Sequence, residues 1–234
     1  MSQFTKDERK SYIGILADGK FHEEVPVGTE DAVLREFETS DGKTGSKWEL
    51  IYTKIQAKIT GIEFQDGEYG VNIQVSLNGE ERDVVVSVGA GSSFGEDLMK
   101  KLPNVDLSKT VEISPYSFVD DNGKSRKGIT LYQDGEKILS FFNEKKEVDG
   151  KEKWVSVNGY PTPEGETESY KSDDWKLFYL QARKFLVNYT KSKIIPKFGG
   201  VTKVKTADEI EAEEFIASQK LTSAEEQLGG KVPF

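Results

Sequence analysis

A mainly β fold with helices, built on a small barrel, is what the sequence predicts, and three observations predict it. Between residues 48 and 142, short stretches alternate apolar and polar side chains with the period of two that marks strands. Asp66-Gly67, Asn78-Gly79 and Asp134-Gly135 punctuate them, and such pairs suit the tight turns of hairpins. After the third stretch the period changes to that of a helix, once, and then returns to two.

The elements follow in order. "KWELIYTKIQAKITGI" reads as one strand, with Ile51, Ile55, Ala57 and Ile59 on one face and Trp48, Tyr52, Lys54 and Lys58 on the other. "YGVNIQVSL" is a second strand with Val71, Ile73, Val75 and Leu77 inward, and "RDVVVSV" a third. "SSFGEDLMKKL" has a serine cap, early acids, late lysines and Phe94, Leu98, Met99 and Leu102 at helical spacing, stopped by Pro103 and Asn104. "KTVEISPYSFV" and "GITLYQ" are the fourth and fifth strands around the polar, basic loop "DDNGKSRK", and "EKILSFF" is a candidate sixth.

Strand-strand-strand-helix-strand-strand is the order of the OB fold, a five-stranded Greek-key barrel whose closure removes exposed sheet edges. Residues 48–142 are assigned to that core and residues 1–47 to an N-terminal extension compatible with a place in the barrel. Residues 143–172 read as a polar loop, and residues 173–205 as a basic amphipathic helix packed on the core. Asp173 or Asp174 caps that helix, and Trp175, Phe178, Tyr179, Ala182, Phe185, Leu186 and Tyr189 form its stripe. Residues 206–234 form an acidic C-terminal tail.

Composition excludes several functions. The 234 residues contain no cysteine, which removes disulfides, thiolate metal sites and a cysteine nucleophile. No apolar run approaches the ~20 residues of a membrane span, and "MSQFTKDERKSYIG" lacks the apolar stretch of a signal peptide, so a cytoplasmic protein is expected, in the host cytoplasm if the source is viral. The net charge of −9 argues against nucleic acid only until its distribution is read. Residues 176–205 hold eight Lys and Arg and no acid, whereas residues 206–234 hold seven acids against Lys220 and Lys231.

Motifs for catalysis fail on spacing. "VVVSVGAGSSFGEDL" places Gly89 and Gly91 as a dinucleotide-binding turn would, but Phe94 occupies the third glycine position. "SDGKTGSK" contains Gly-Lys-Thr, but Phe37 stands where a phosphate loop needs glycine. His22 is the lone histidine, too little for a triad or a transition-metal site. No catalytic residue, metal or cofactor is assigned.

Aromatics interleaved with bases remain: Trp48, Tyr52, Lys54 and Lys58; Tyr116 and Phe118 before Lys124, Arg126 and Lys127; and Trp154 beside Lys153. Unpaired bases stack on rings at roughly 1–3 kcal/mol each while cations follow the phosphates. With the acidic end and the terminal Val232-Pro233-Phe234, these features resemble phage-type and bacterial single-stranded DNA-binding proteins, which pair an OB fold with an acidic tail. The resemblance implies sequence-tolerant binding of single-stranded DNA, or RNA, in replication, repair and recombination, and is compatible with a homo-oligomer. It also implies a tail, here Glu225, Glu226, Val232, Pro233 and Phe234, that docks replication or repair proteins. In this chain Leu228, Gly229, Gly230 and Lys231 separate the acids from the tip. The alternative is a non-enzymatic interaction module or virion structural β-barrel.

Overall fold

The structure, a computed structural model, describes residues 11–39, 42–67, 70–148, 150–165 and 167–199. Its strands are β1 (Ser11–Ile15), β2 (Phe21–Glu24), β3 (Val33–Glu38), β4 (Thr44–Tyr52), β5 (Ile55–Gly67), β6 (Gly70–Asn78), β7 (Asp83–Gly89), β8 (Thr110–Val119), β9 (Ser125–Gln133), β10 (Glu136–Ile138), β11 (Asn143–Val148) and β12 (Lys151–Ser156). The helices are α1 (Ser93–Lys101), between β7 and β8, and α2 (Ser172–Tyr189).

The predicted five-stranded OB-fold barrel is not what the chain forms. Among the described residues, ten strands make one mixed sheet in the order β10-β9-β8-β5-β6-β7-β1-β2-β4-β3, and no ladder closes it into a barrel. The outer edge of β7 is taken by β1, which pairs with it in parallel from Ser11 opposite Val84 to Gly14 opposite Ser87. β2, β4 and β3 then extend the sheet on that side by antiparallel pairing.

The long strand expected over Lys47–Ile62 divides for the same reason. Its first half, β4, pairs with β2 and β3, whereas its second half, β5, pairs with β6 and β8. Thr53 and Lys54 form the break, and the alternation slips by one residue there. On β5, Ala57 and Ile59 are buried as expected. On β4 the faces are reversed: Tyr52 packs on the core and Ile51 is exposed.

One core joins Ile13 and Phe21 near the N-terminus to Ile113, Ile129 and Leu131. α1 closes it with Phe94, Leu98 and Met99, the residues its spacing marked. The Ser92 hydroxyl caps α1 by accepting from the Gly95 amide (3.1 Å). α1 also covers the stretch of β9 edge that β10 does not reach: the Ile129 amide donates to Asp97 (2.8 Å), and Lys101, paired with Asp97 (2.8 Å), donates to the Ile129 carbonyl. Backbone groups at a sheet edge are thereby satisfied without another strand.

The C-terminal half of α2 docks through a ring cluster. Phe142, fully buried, meets Phe185 and Tyr189 edge-on at 5.4 and 5.0 Å between centroids. The cap lies at Lys171, two residues before the nearer of the expected caps, and Asp174 accepts from the Lys171 amide (2.8 Å) from inside the first turn. Residues 143–172, read as a loop, contain the hairpin β11–β12, a separate two-stranded sheet. It has almost no apolar alternation to betray it. No helix among the described residues is long and apolar enough to cross a membrane.

Candidate nucleic-acid interface

The hairpin of β8 and β9 gathers the largest set of the expected site residues. Its turn is built by Asp120, whose carboxylate accepts from the amides of Asn122 (3.0 Å) and Lys124 (2.9 Å) and from Arg126 Nε (2.8 Å). The Lys124 amide first, and Arg126 second, hold Asp120 below the ordinary aspartate range. Register sets the faces: Phe118 lies opposite Arg126, Ser117 opposite Lys127 and Tyr116 opposite Gly128. Phe118, Tyr116 and Arg126 therefore share one face, and Lys127 takes the other.

Tyr116 and Phe118 lie 5.8 Å apart with planes tilted by 37°. Phe118 is 55% exposed, and Val119 beside it is also exposed. Tyr116 is anchored over Gly128: a Cβ at position 128 would stand 2.5 Å from the Tyr116 hydroxyl and from Asp97. Burial, then the Asp97 charge, raises the Tyr116 phenol above its ordinary value. Phe118 is the free ring of the pair and Tyr116 its support.

Trp48, Tyr52, Lys54 and Lys58 do not form the single face that alternation suggested. Trp48 is half-buried opposite Leu34 on the same face of β4 as Tyr52. The Tyr52 hydroxyl donates to Glu23 (2.9 Å) and accepts from Arg82 (3.1 Å). Lys54 is exposed but paired with Glu112 (2.9 Å), and Lys58 is exposed on β5. Lys54 and Tyr52 border one groove of about 460 Å³, together with Arg82, Glu80 and Glu81. A neighbouring groove of about 800 Å³ holds Tyr132, Lys109 and Glu112, with Lys109 paired to Asp134 (2.6 Å). Charges in both are matched or acidic, so neither is a phosphate channel.

Trp154 is 63% exposed on β12, opposite Lys145, whose ammonium lies 5.9 Å from the ring centroid. Lys153 is exposed on the same strand. The tail residues Glu225, Glu226, Val232, Pro233 and Phe234 lie outside the described residues.

Three further lysines are exposed outside the expected set. Lys191, Lys193 and Lys197 are exposed on the turns that follow α2, and Lys191 Nζ lies 5.4 Å from the ring centroid of Phe64 on β5. The run of eight bases without an acid carried that signal in the sequence, but not which of its members stand free of the helix packing. A second ring-and-cation group, Phe37 between Arg35 (5.3 Å) and Lys47 (5.9 Å), left no such trace.

Among the described residues no group of three acids or histidine is placed to hold a metal ion. His22 is buried between Glu49 (2.9 Å) and Asp18 (3.1 Å), tying strands together. Comparison with protein families, with curated proteins and with solved structures gives no match to this chain.

Proposed function

We propose that the chain binds single-stranded nucleic acid, DNA in the first place, without sequence preference and without catalysis. The observation that supports this best is the β8–β9 hairpin: a free Phe118 ring braced by Tyr116, with Arg126 opposite it on the same face, Lys127 on the other face and Lys124 in the turn. Every base has a π-face, so a projecting ring selects no sequence, and stacking supplies roughly 1–3 kcal/mol per base. Trp154 offers a second ring, and Lys191, Lys193 and Lys197 add charge for the phosphates. The tail residues Glu225, Glu226, Val232, Pro233 and Phe234 would serve replication or repair partners, the ring filling an apolar pocket and the acids meeting basic side chains.

Titration of labelled oligo-dT at two salt concentrations tests the proposal. Binding in the micromolar range or tighter is expected, with quenching of tryptophan fluorescence and weakening as salt rises. Phe118→Ala should weaken it by about tenfold or more. An oligo-U titration separates DNA from RNA preference. No binding at low salt overturns the proposal and leaves the interaction-module alternative, which the apolar outer face of α2 favours.

A further inference from the structure

An asparagine followed by glycine can cyclise on itself, because glycine has no Cβ to obstruct its amide nitrogen from reaching the asparagine side chain. The chain holds three such pairs, Asn78-Gly79, Asn122-Gly123 and Asn158-Gly159, and each asparagine is exposed. They differ in what holds the carboxamide. Asn78 donates from its side chain to Asp83 (2.7 Å), and Asn158 to the Phe141 carbonyl (2.5 Å). The Asn122 carboxamide has no hydrogen-bond partner among the described residues; only its backbone amide is tied, to Asp120 (3.0 Å). It alone rotates freely into the position that brings Cγ onto the next nitrogen.

The attacking nitrogen is held as well. The Gly123 amide donates to the Asp120 carbonyl (2.8 Å) and the Gly79 amide to the Arg82 carbonyl (3.2 Å), whereas Gly159 donates no such bond among the described residues. The Gly123 bond has to open before attack. It closes a turn at the exposed tip of a hairpin, the kind of backbone that opens at a cost far below global unfolding. Releasing Asn158 instead means detaching it from Phe141, which packs against the core. Asn122 is therefore the most reactive of the three.

We propose that Asn122 is a site of spontaneous deamidation, and that the change weakens the grip of the β8–β9 hairpin on nucleic acid. The Gly123 nitrogen gives up its proton to solvent and bonds to Asn122 Cγ. The Cγ–Nδ2 bond breaks, and Nδ2 leaves with a proton as ammonia. One water then opens the cyclic imide at either carbonyl, leaving aspartate or isoaspartate at position 122. Nothing is oxidised or reduced, and water is the only co-reactant.

Residues 120–127 carry Lys124, Arg126 and Lys127 against Asp120 and Asp121, so one new carboxylate removes the positive excess of the hairpin tip. Isoaspartate also adds a carbon to the backbone of the turn that Asp120 closes through the amides of Asn122 and Lys124. The effect on binding rests on the function proposed above; the reaction does not.

Peptide mapping by mass spectrometry tests this on the full chain, aged for days at mildly alkaline pH. The peptide holding Asn122 should gain about one mass unit severalfold faster than those holding Asn78 and Asn158. Asn122→Gln, whose longer side chain closes the ring far more slowly, should stay unmodified at that position. Ageing should weaken oligo-dT binding by the wild type severalfold at low salt and leave Asn122→Gln unchanged, and fresh Asn122→Asp should bind as weakly as the aspartate form of the aged chain. No mass gain at Asn122, or a faster gain at Asn78 or Asn158, overturns the site. A gain at Asn122 with undiminished binding overturns its consequence. A wild-type chain that never binds oligo-dT, fresh or aged, overturns the proposed function together with that consequence, while the peptide map still decides the site.

Discussion

Gly19 lies against the backbone of Ser117, so close that a Cβ at position 19 would stand 2.3 Å from the Ser117 amide nitrogen. The two residues belong to distant parts of the sheet, the β1–β2 turn and β8, so their contact records how far the sheet curls. Gly19 also has φ of +74°, a left-handed conformation that costs a side chain about 1–2 kcal/mol. Backbone on the far side cannot move away as a flexible side chain would. Gly19→Ala should therefore destabilise the protein by about 3 kcal/mol or more, read as a shift of the urea midpoint at constant slope. A loss below about 1 kcal/mol would mean that the turn does not bear on β8.

How much of this was legible beforehand differs from element to element. β5, β6, β7, α1, β8 and β9 were readable because each presents one apolar face to one core. Their closure into a barrel was not, because an edge is claimed by whichever strand reaches it. Here β1 reaches β7, and "SYIGI", inside the stretch assigned to an N-terminal extension, gave no hint of a parallel partner. Tyr52 was misplaced by a local event, the slip in alternation at Thr53–Lys54. Tyr116, Phe118, Lys124, Arg126 and Lys127 came together because a hairpin makes sequence neighbours into spatial ones. Phe64 with Lys191 needed the tertiary fold.

The strands that β1 recruits are bound by buried carboxylates, and these set the acid limit of stability. Glu49 is held below its ordinary value of 4.5 by the two-pronged Arg35 pair (2.7 and 2.7 Å) first, against burial, and then by His22. Burial alone would raise Glu23, but hydrogen bonds from Arg82, Ser11 and Tyr52 outweigh it and bring it down. A carboxylate with a depressed folded pKa contributes stability that is complete above the unfolded value and lost as pH falls through the folded one. Unfolding free energy should hence be flat near neutrality and decline below about pH 4.5. Glu49→Gln should cost about 2 kcal/mol at pH 7 and make that decline shallower. An equal decline in the variant would place the acid sensitivity elsewhere.

Rings and lysines should leave different signatures in binding. Changing Lys191, Lys193 and Lys197 together to alanine should lower the slope of log affinity against log salt by about 2, near 0.7 per phosphate contact on a single strand. Trp154→Ala should instead weaken binding by about tenfold with the slope unchanged. Both effects come from the same oligo-dT titration series. A triple variant with wild-type slope would show that these lysines, exposed as they are, do not follow the strand.

The acidic residues 206–234 carry a charge of −5 from seven acids and two lysines, directly after a run of eight bases. A tethered anion competes with a free one for the same cations, and its effective concentration is high at any protein dilution. A nucleic acid strand, with the higher charge density, would have to displace it, at a cost in apparent affinity. Deleting residues 206–234 should therefore raise affinity for oligo-dT severalfold at low salt, and the gain should shrink as salt screens the tail. Removing Phe234 alone should not reproduce that gain, because the competition is one of charge. Unchanged affinity at low salt after the full deletion would show that the tail leaves the lysines free, and would restrict it to docking partners.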